Sequence, residues 1–357
     1  MGHVIQLDIP FRQNSAAARH SALIARFADH RRPQDDVFWL KENAEVLNVL
    51  DSGGAKLEPG RLECHAGFYA GLEKRLGFFP QYYRFLLSIC LDLEDLGLDG
   101  TKGEEMTAWV VQEGLPAAEL SDLQRAEAQR LCLRRGVEAL PGDTGLADRL
   151  RGFAGRTETF ALPNKKAAYE LTHIVFYLSE YGRKDPDLDA PVLQSLRFAG
   201  TLAFLEMNID LLSEICIALR FAGQIPPDIW EDWLRQQARR FVIEDRAQGW
   251  AADDYHPYLM INWFLRISGE GGFAEQIPEG APAFMAPRSA GGPLRELSEF
   301  MYRLDGARCD DWTTMRAQVE DGLSDDARHM IAAAETAGDF EAFFAGFARA
   351  GLQGAGG

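Results

Sequence analysis

An all-α fold is what this sequence predicts, on three observations. Apolar residues recur at helical spacing along most of the chain. Gly, Pro and acidic caps divide that pattern into successive segments. Strand-like alternation is limited to a weak run at 3–12, a short strand or extended arm with no second run nearby to pair with it. Short connections between helices suit an α/α toroid-like arrangement or a large helical bundle, and a toroid offers many amphipathic helices one centre to bury against. The expectation is a single helical domain over 1–350 with a disordered tail at 351–357.

The helices follow in order. Candidates run from about Ser15 to Asp29, Asp36 to Leu50, Glu63 to Leu76, Pro80 to Leu96, Glu104 to Gln112, Ser121 to Leu140 and Gly145 to Phe153. Asn164, after Pro163, caps a helix of about five turns that ends at Gly182. Next come Ala190 to Phe221 with a possible split near Gly200, Pro227 to Ile243, and Asp253 to Ile267. The Gly-, Pro- and Ala-rich stretch 268–292 is a lid, a crossover or a surface loop. Helices from Pro293 to Leu304, Trp312 to Gly322, Asp325 to Ala337 and Asp339 to Ala350 complete the chain, and no fixed-period repeat marks a particular solenoid.

Composition narrows the function classes. The 357 residues are 46% hydrophobic and carry 37 Lys and Arg against 54 Asp and Glu, a formal net charge of -17. That charge gives little attraction to phosphate backbones or anionic lipid, so no nucleic-acid partner and no membrane partner are expected. No apolar run reaches the ~18 residues of a membrane span. Five scattered cysteines without a Cys-x-x-Cys, and an N-terminus without a signal-peptide pattern, point to a reducing, cytoplasmic setting.

Three stretches carry candidate chemistry. On the helix from Asn164, Leu171, Ile174, Val175 and Leu178 form one apolar face, and Glu170, His173, Tyr177 and Glu180 a second stripe. Glu170 and His173 stand one turn apart, where a carboxylate and an imidazole can share a divalent metal. A second Glu-x-x-His, as a di-iron bundle requires, is absent. Further on, Glu206, Asp210 and Glu214 are spaced as an acidic row along one helix. Like charges so placed are either a solvated face or a platform relieved by a cation or a shared proton. Third, His256 stands at a helix entrance between Tyr255 and Tyr258, behind the capping candidates Asp253 and Asp254.

His173, His256, Asp210 and Glu214 thus make a two-His, two-carboxylate metal set with Glu170 and Glu206 in reserve, and such mixed N/O ligands suit iron, manganese or zinc. Glu170 and Tyr177 are the candidates to orient substrate or move a proton. The expected function is a metal-dependent enzyme for a small molecule or peptide, performing an oxygen-dependent modification with iron or hydrolysis or lyase chemistry with zinc. The alternative is a helical protein-interaction module docking a partner through Phe78 to Tyr83 and Trp230 to Trp233, with the charged stripes as ordinary solvated faces. Terpenoid-cyclase acid motifs, a P-loop, a dinucleotide fingerprint and a serine-hydrolase elbow are all missing. The Thr172-His173-Ile-Val-Phe-Tyr177 helix, with Asp210-Leu-Leu-Ser-Glu214 and Tyr255-His256, resembles bacterial all-α proteins with a Thr-His-x-Val-Phe-Tyr helix. That resemblance covers about a quarter of the chain and implies that these positions form one site, without supplying a substrate.

Overall fold

The computed structural model describes residues 15–58, 60–246, 253–288 and 291–350; the expected arm at 3–12 and tail at 351–357 lie outside the described residues. Within them the regular structure is eighteen α-helices, three short 3-10 turns and one two-stranded sheet, so the chain is all-α. Among the described residues no helix is long and apolar enough to cross a membrane. Contacts group the chain into two compact units.

The first unit comprises Met1–Lys102, Ile243–Ala252 and Phe273–Ala283. It holds α1 (Ala16–Asp29), α2 (Val37–Ser52), α3 (Ala66–Ala70), α4 (Leu72–Phe78) and α5 (Tyr83–Asp95). α2 packs against both α1 and α5. Ser15 and Asp36 cap α1 and α2 by accepting from Ala18 N and Phe38 N, as their positions predict. Trp39 is fully buried and donates its indole N–H to Ala28 O at 2.9 Å, while buried Glu42 takes both Arg31 and Arg32. The helix expected over Glu63–Leu76 is instead a 3-10 turn followed by α3 and α4, broken at Gly71.

The second unit comprises Gly103–Val242, Asp253–Gly272 and Phe284–Gly357. Its helices are α6 (Lys102–Gln112), α7 (Asp122–Leu133), α8 (Leu146–Ala154), α9 (Thr157–Phe160), α10 (Lys165–Leu178), α11 (Ala190–Leu205), α12 (Ile209–Phe221), α13 (Asp228–Ala238) and α14 (Tyr255–Ile267). They are followed by α15 (Pro293–Leu304), α16 (Trp312–Gly322), α17 (Asp325–Glu335) and α18 (Phe340–Ala348). α12 is buried along its length and packs on α10, α11, α13 and α14.

Several helix ends differ from expectation, two of them for a shared reason. α10 stops at Leu178, short of Gly182, because Glu180 turns left-handed (φ 50) and the Tyr181 N–H closes on Phe176 O at 2.8 Å. The segment expected to run unbroken from Ala190 to Phe221 ends α11 at Leu205, where Met207 (φ 56) is left-handed and Asn208 N–H reaches Ala203 O. Both are Schellman-type stops made by a residue other than glycine, at a backbone cost of roughly 1–2 kcal/mol each. Gly200 does not split α11; a Cβ there would run into the buried Trp230 ring. The stretch expected to be helical to Leu140 leaves α7 at Leu133, and Gln129 Oε1 accepts from Ala139 and Leu140 N–H in the loop that follows. The segment expected to be helical to Ile243 leaves α13 at Ala238 and enters β1 (Val242–Asp245). Its partner β2 (Pro282–Met285) lies in the helix-poor stretch 268–292.

Candidate functional site

Three helices of the second unit build one polar cluster. Asn164 caps α10 by accepting from Ala167 N, and Asn208 caps α12 by accepting from Leu211 N, each at 3.2 Å. Asp210 therefore stands in the first turn of α12 and His256 in the first turn of α14. Of the two expected cap candidates for α14, Asp254 occupies the N-cap, but its side chain accepts from Ala286 N–H and that of Asp253 from Phe284 N–H, holding that loop at the helix entrance.

An aromatic lock aligns the three helices. Phe176 of α10, Phe221 of α12 and Trp263 of α14 have ring centroids 5.1–5.9 Å apart. Seven positions upstream in each helix stand Tyr169, Glu214 and His256. Seven residues are two turns, about 10 Å of helix rise. α10, α12 and α14 therefore run in the same sense, polar cluster at one level and aromatic lock at the next.

The cluster is closely bonded. His256 Nδ1 donates to Asp210 Oδ1 at 2.7 Å, and the Tyr169 hydroxyl donates to Asp210 Oδ2 at 2.7 Å. His173 Nδ1 lies 2.8 Å from Tyr169 O, which can only accept, so Nδ1 carries the hydrogen and Nε2 the lone pair. The same argument at Asp210 places the lone pair of His256 on Nε2. Glu214 is 1% exposed; Thr172 Oγ1 lies 2.5 Å from its Oε2 and His173 Nδ1 3.9 Å from the same oxygen. Burial raises the Glu214 carboxyl above its ordinary range, opposed by the nearby His173 and increased by Asp210. When Glu214 is protonated, its O–H donates to Thr172 Oγ1 and the threonine hydrogen goes to Tyr169 O at 2.9 Å. When it is ionised, Thr172 turns and donates to it. Burial, with Asp210 beside it, likewise pushes the Tyr169 phenol up.

One ligand atom each from Asp210, Glu214 and His256 lies within 4.8 Å of the other two. His173 joins through Glu214 and is 37% exposed, so the cluster opens to solvent on its side. Among the described residues no Lys or Arg pairs with Glu214 or Asp210.

The other sequence candidates sit elsewhere. Glu206 is not part of an acidic row: the break at Met207 puts it on the C-cap of α11, where it pairs with Lys165 at 3.0 Å. Glu170 is half-buried and makes no hydrogen bond or ion pair within the described residues, so the Glu-x-x-His pair is not joined. Tyr177 meets the His173 ring edge-on at 5.9 Å but lines a separate cavity with Arg130. Trp230 and Trp233 are interior and present no docking surface, whereas Phe78 and Phe79 are exposed. Tyr169 is the participant sequence reasoning missed; its position four residues before His173, on the same helical face, was the available signal.

Over residues 1–350 the sequence matches the family described as Domain of unknown function (DUF6902). The chain belongs to that family. No curated protein and no solved structure matches it.

A second polar group of the DUF6902 chain lies in its first unit. Asn43 Nδ2 donates to Phe27 O and Trp39 O, which turns its Oδ1 toward His65 Nε2 at 2.9 Å. His65 Nε2 therefore carries the hydrogen, and the Nδ1 lone pair lies 3.4 Å from the Cys64 sulfur, whose one hydrogen is shared between Nδ1 and Arg61 O. Burial pushes His65 down to about 4 and Cys64 up to about 11. At neutral pH both are uncharged, and the arrangement holds a core histidine in one tautomer; it does not generate a thiolate.

Proposed function

We propose that the chain is a metal-dependent enzyme acting on a small molecule or peptide, with a divalent iron, manganese or zinc ion held by Glu214, His256 and Asp210 and with His173 as a further ligand. The observation that carries this reading is the grouping of three ligand atoms within 4.8 Å around a buried carboxylate that, among the described residues, no Lys or Arg balances. A buried acid either stays protonated or takes a cation, and a second carboxylate and an imidazole grouped with it offer a cation further ligands. When bound, such an ion would polarise a substrate oxygen or activate a water or oxygen molecule. Tyr169 and Thr172 would hold the two carboxylates in place, and the half-exposed His173 would meet substrate from the solvent side.

A second reading rests on the same 2.7 Å bond: Asp210 and His256 as a metal-free base pair, with protonated Glu214 as the acid. Cytoplasmic residence is part of the proposal, supported by five cysteines none of which is in a disulfide. Metal analysis of protein purified without chelator separates the two readings. About one equivalent of a transition metal, lost on dialysis against chelator, is the expected result. Protein that stays metal-free after incubation with iron, manganese or zinc overturns the first reading and leaves the second.

A further inference from the structure

We propose that the cavity between α7, α8 and the end of α10 binds a small monocarboxylate with an apolar body, anchored by Arg130. The cavity has a volume of ≈ 270 Å³. That is below the roughly 300–1,000 Å³ of pockets for drug-sized ligands and suits a smaller molecule. Arg130 lines it and is only 5% exposed, yet its Nε and Nη1 have no hydrogen-bond partner. Its guanidinium lies over the ring of Tyr181 at 4.5 Å and of Tyr177 at 5.9 Å. Aromatic faces satisfy the flat side of a guanidinium; its N–H groups lie in the guanidinium plane and still need acceptors. A buried charge left in that condition is costly, and a carboxylate is the acceptor that matches a guanidinium fork.

The rest of the wall selects the ligand. Leu133, Leu140, Leu146 and Leu150 supply an apolar surface for a hydrocarbon or aromatic body. Glu180 is engaged by Lys184 at 2.6 Å and Asp143 by Arg149 at 2.7 Å, so those two acids at the wall are already balanced. Glu138 is a further acid at the wall. With acids this near, one negative charge is tolerated better than the two of a phosphate. The cavity is independent of the metal reading, since none of Asp210, Glu214, His173 or His256 lines it.

Isothermal titration with hexanoate, hexanamide and inorganic phosphate tests the assignment. Saturable binding of hexanoate is expected, with hexanamide and phosphate at least about tenfold weaker, the discrimination one charge-assisted hydrogen-bonded contact provides. Arg130→Gln should weaken hexanoate by a similar factor while leaving metal content unchanged. Ala147→Phe, which fills the cavity and keeps the arginine, should do the same, so a folding defect in one variant does not decide the question. No saturable binding of hexanoate, equal binding of hexanamide, tighter binding of phosphate, or undiminished binding by the folded variants would each overturn the proposal.

Discussion

Replacing His256 with alanine is expected to cost at least about 100-fold in affinity for the divalent metal, exceeding the 10–100-fold that an outer partner usually contributes. His256 supplies one of three ligand atoms grouped within 4.8 Å, and its removal also strips Asp210 Oδ1 of its 2.7 Å donor. Two carboxylates would then face each other with only hydroxyl donors between them. Thr172→Val is the graded comparison. It removes the hydroxyl 2.5 Å from Glu214 Oε2 but no ligand, so its loss should stay within about 10- to 100-fold. Competition with a metal indicator measures both constants. Equal affinities in the wild type and His256→Ala would show that the metal, if bound, is held elsewhere.

Acidification is expected to remove about 3 kcal/mol of stability through His65 alone. Its imidazole is fully buried, and desolvation lowers its folded pKa to about 4 from an ordinary 6.5. The unfolded chain therefore takes up a proton between those values while the folded chain does not. The contribution is present in full above pH 6.5 and falls away as pH drops toward 4. Charging His65 would also turn Nδ1 into a donor, which leaves the Cys64 thiol only Arg61 O to donate to. Urea unfolding of the wild type and His65→Gln across pH 7 to 4 isolates this group from the carboxylates that titrate in the same range. The variant should start less stable and lose about 3 kcal/mol less over the interval; parallel pH profiles would remove the buried neutral imidazole from the account.

The fold class was legible because burial in this chain follows helical periodicity closely. Of the predicted α10 face, Leu171, Ile174 and Val175 are buried and Leu178 half-buried, and Ser15, Asp36, Ser121 and Asn164, where helices were expected to begin, all accept a first-turn backbone N–H. N-termini are written in side chains that bond locally, so they can be read. C-termini here are not: Glu180 and Met207 occupy left-handed positions where glycine is the usual signal, and only tertiary packing offsets that cost. The Met207 break is also why an acidic row spaced perfectly for one helix does not exist. Two four-residue strands, Val242–Asp245 and Pro282–Met285, are too short for alternation to distinguish them from loop.

At the site, the residue types and one-turn spacings of His173, Asp210, Glu214 and His256 were visible, but nothing local brings three helices together. Their meeting is set by Phe176, Phe221 and Trp263, whose common distance from Tyr169, Glu214 and His256 has meaning only once those aromatic rings are known to touch. Glu170 was chosen for its spacing to His173, yet on α10 the residues that face α12 are Tyr169 and Thr172. Spacing along one helix identifies a shared face; which neighbour that face meets is a property of packing.

Anomalous diffraction from crystals soaked in manganese or zinc, recorded at the edge of the metal used, tests the central claim most directly. A single strong peak is expected about 2.0–2.2 Å from a Glu214 carboxylate oxygen and an imidazole nitrogen of His256. A map with no peak at this cluster, in crystals whose solvent holds the metal at saturating concentration, would contradict it.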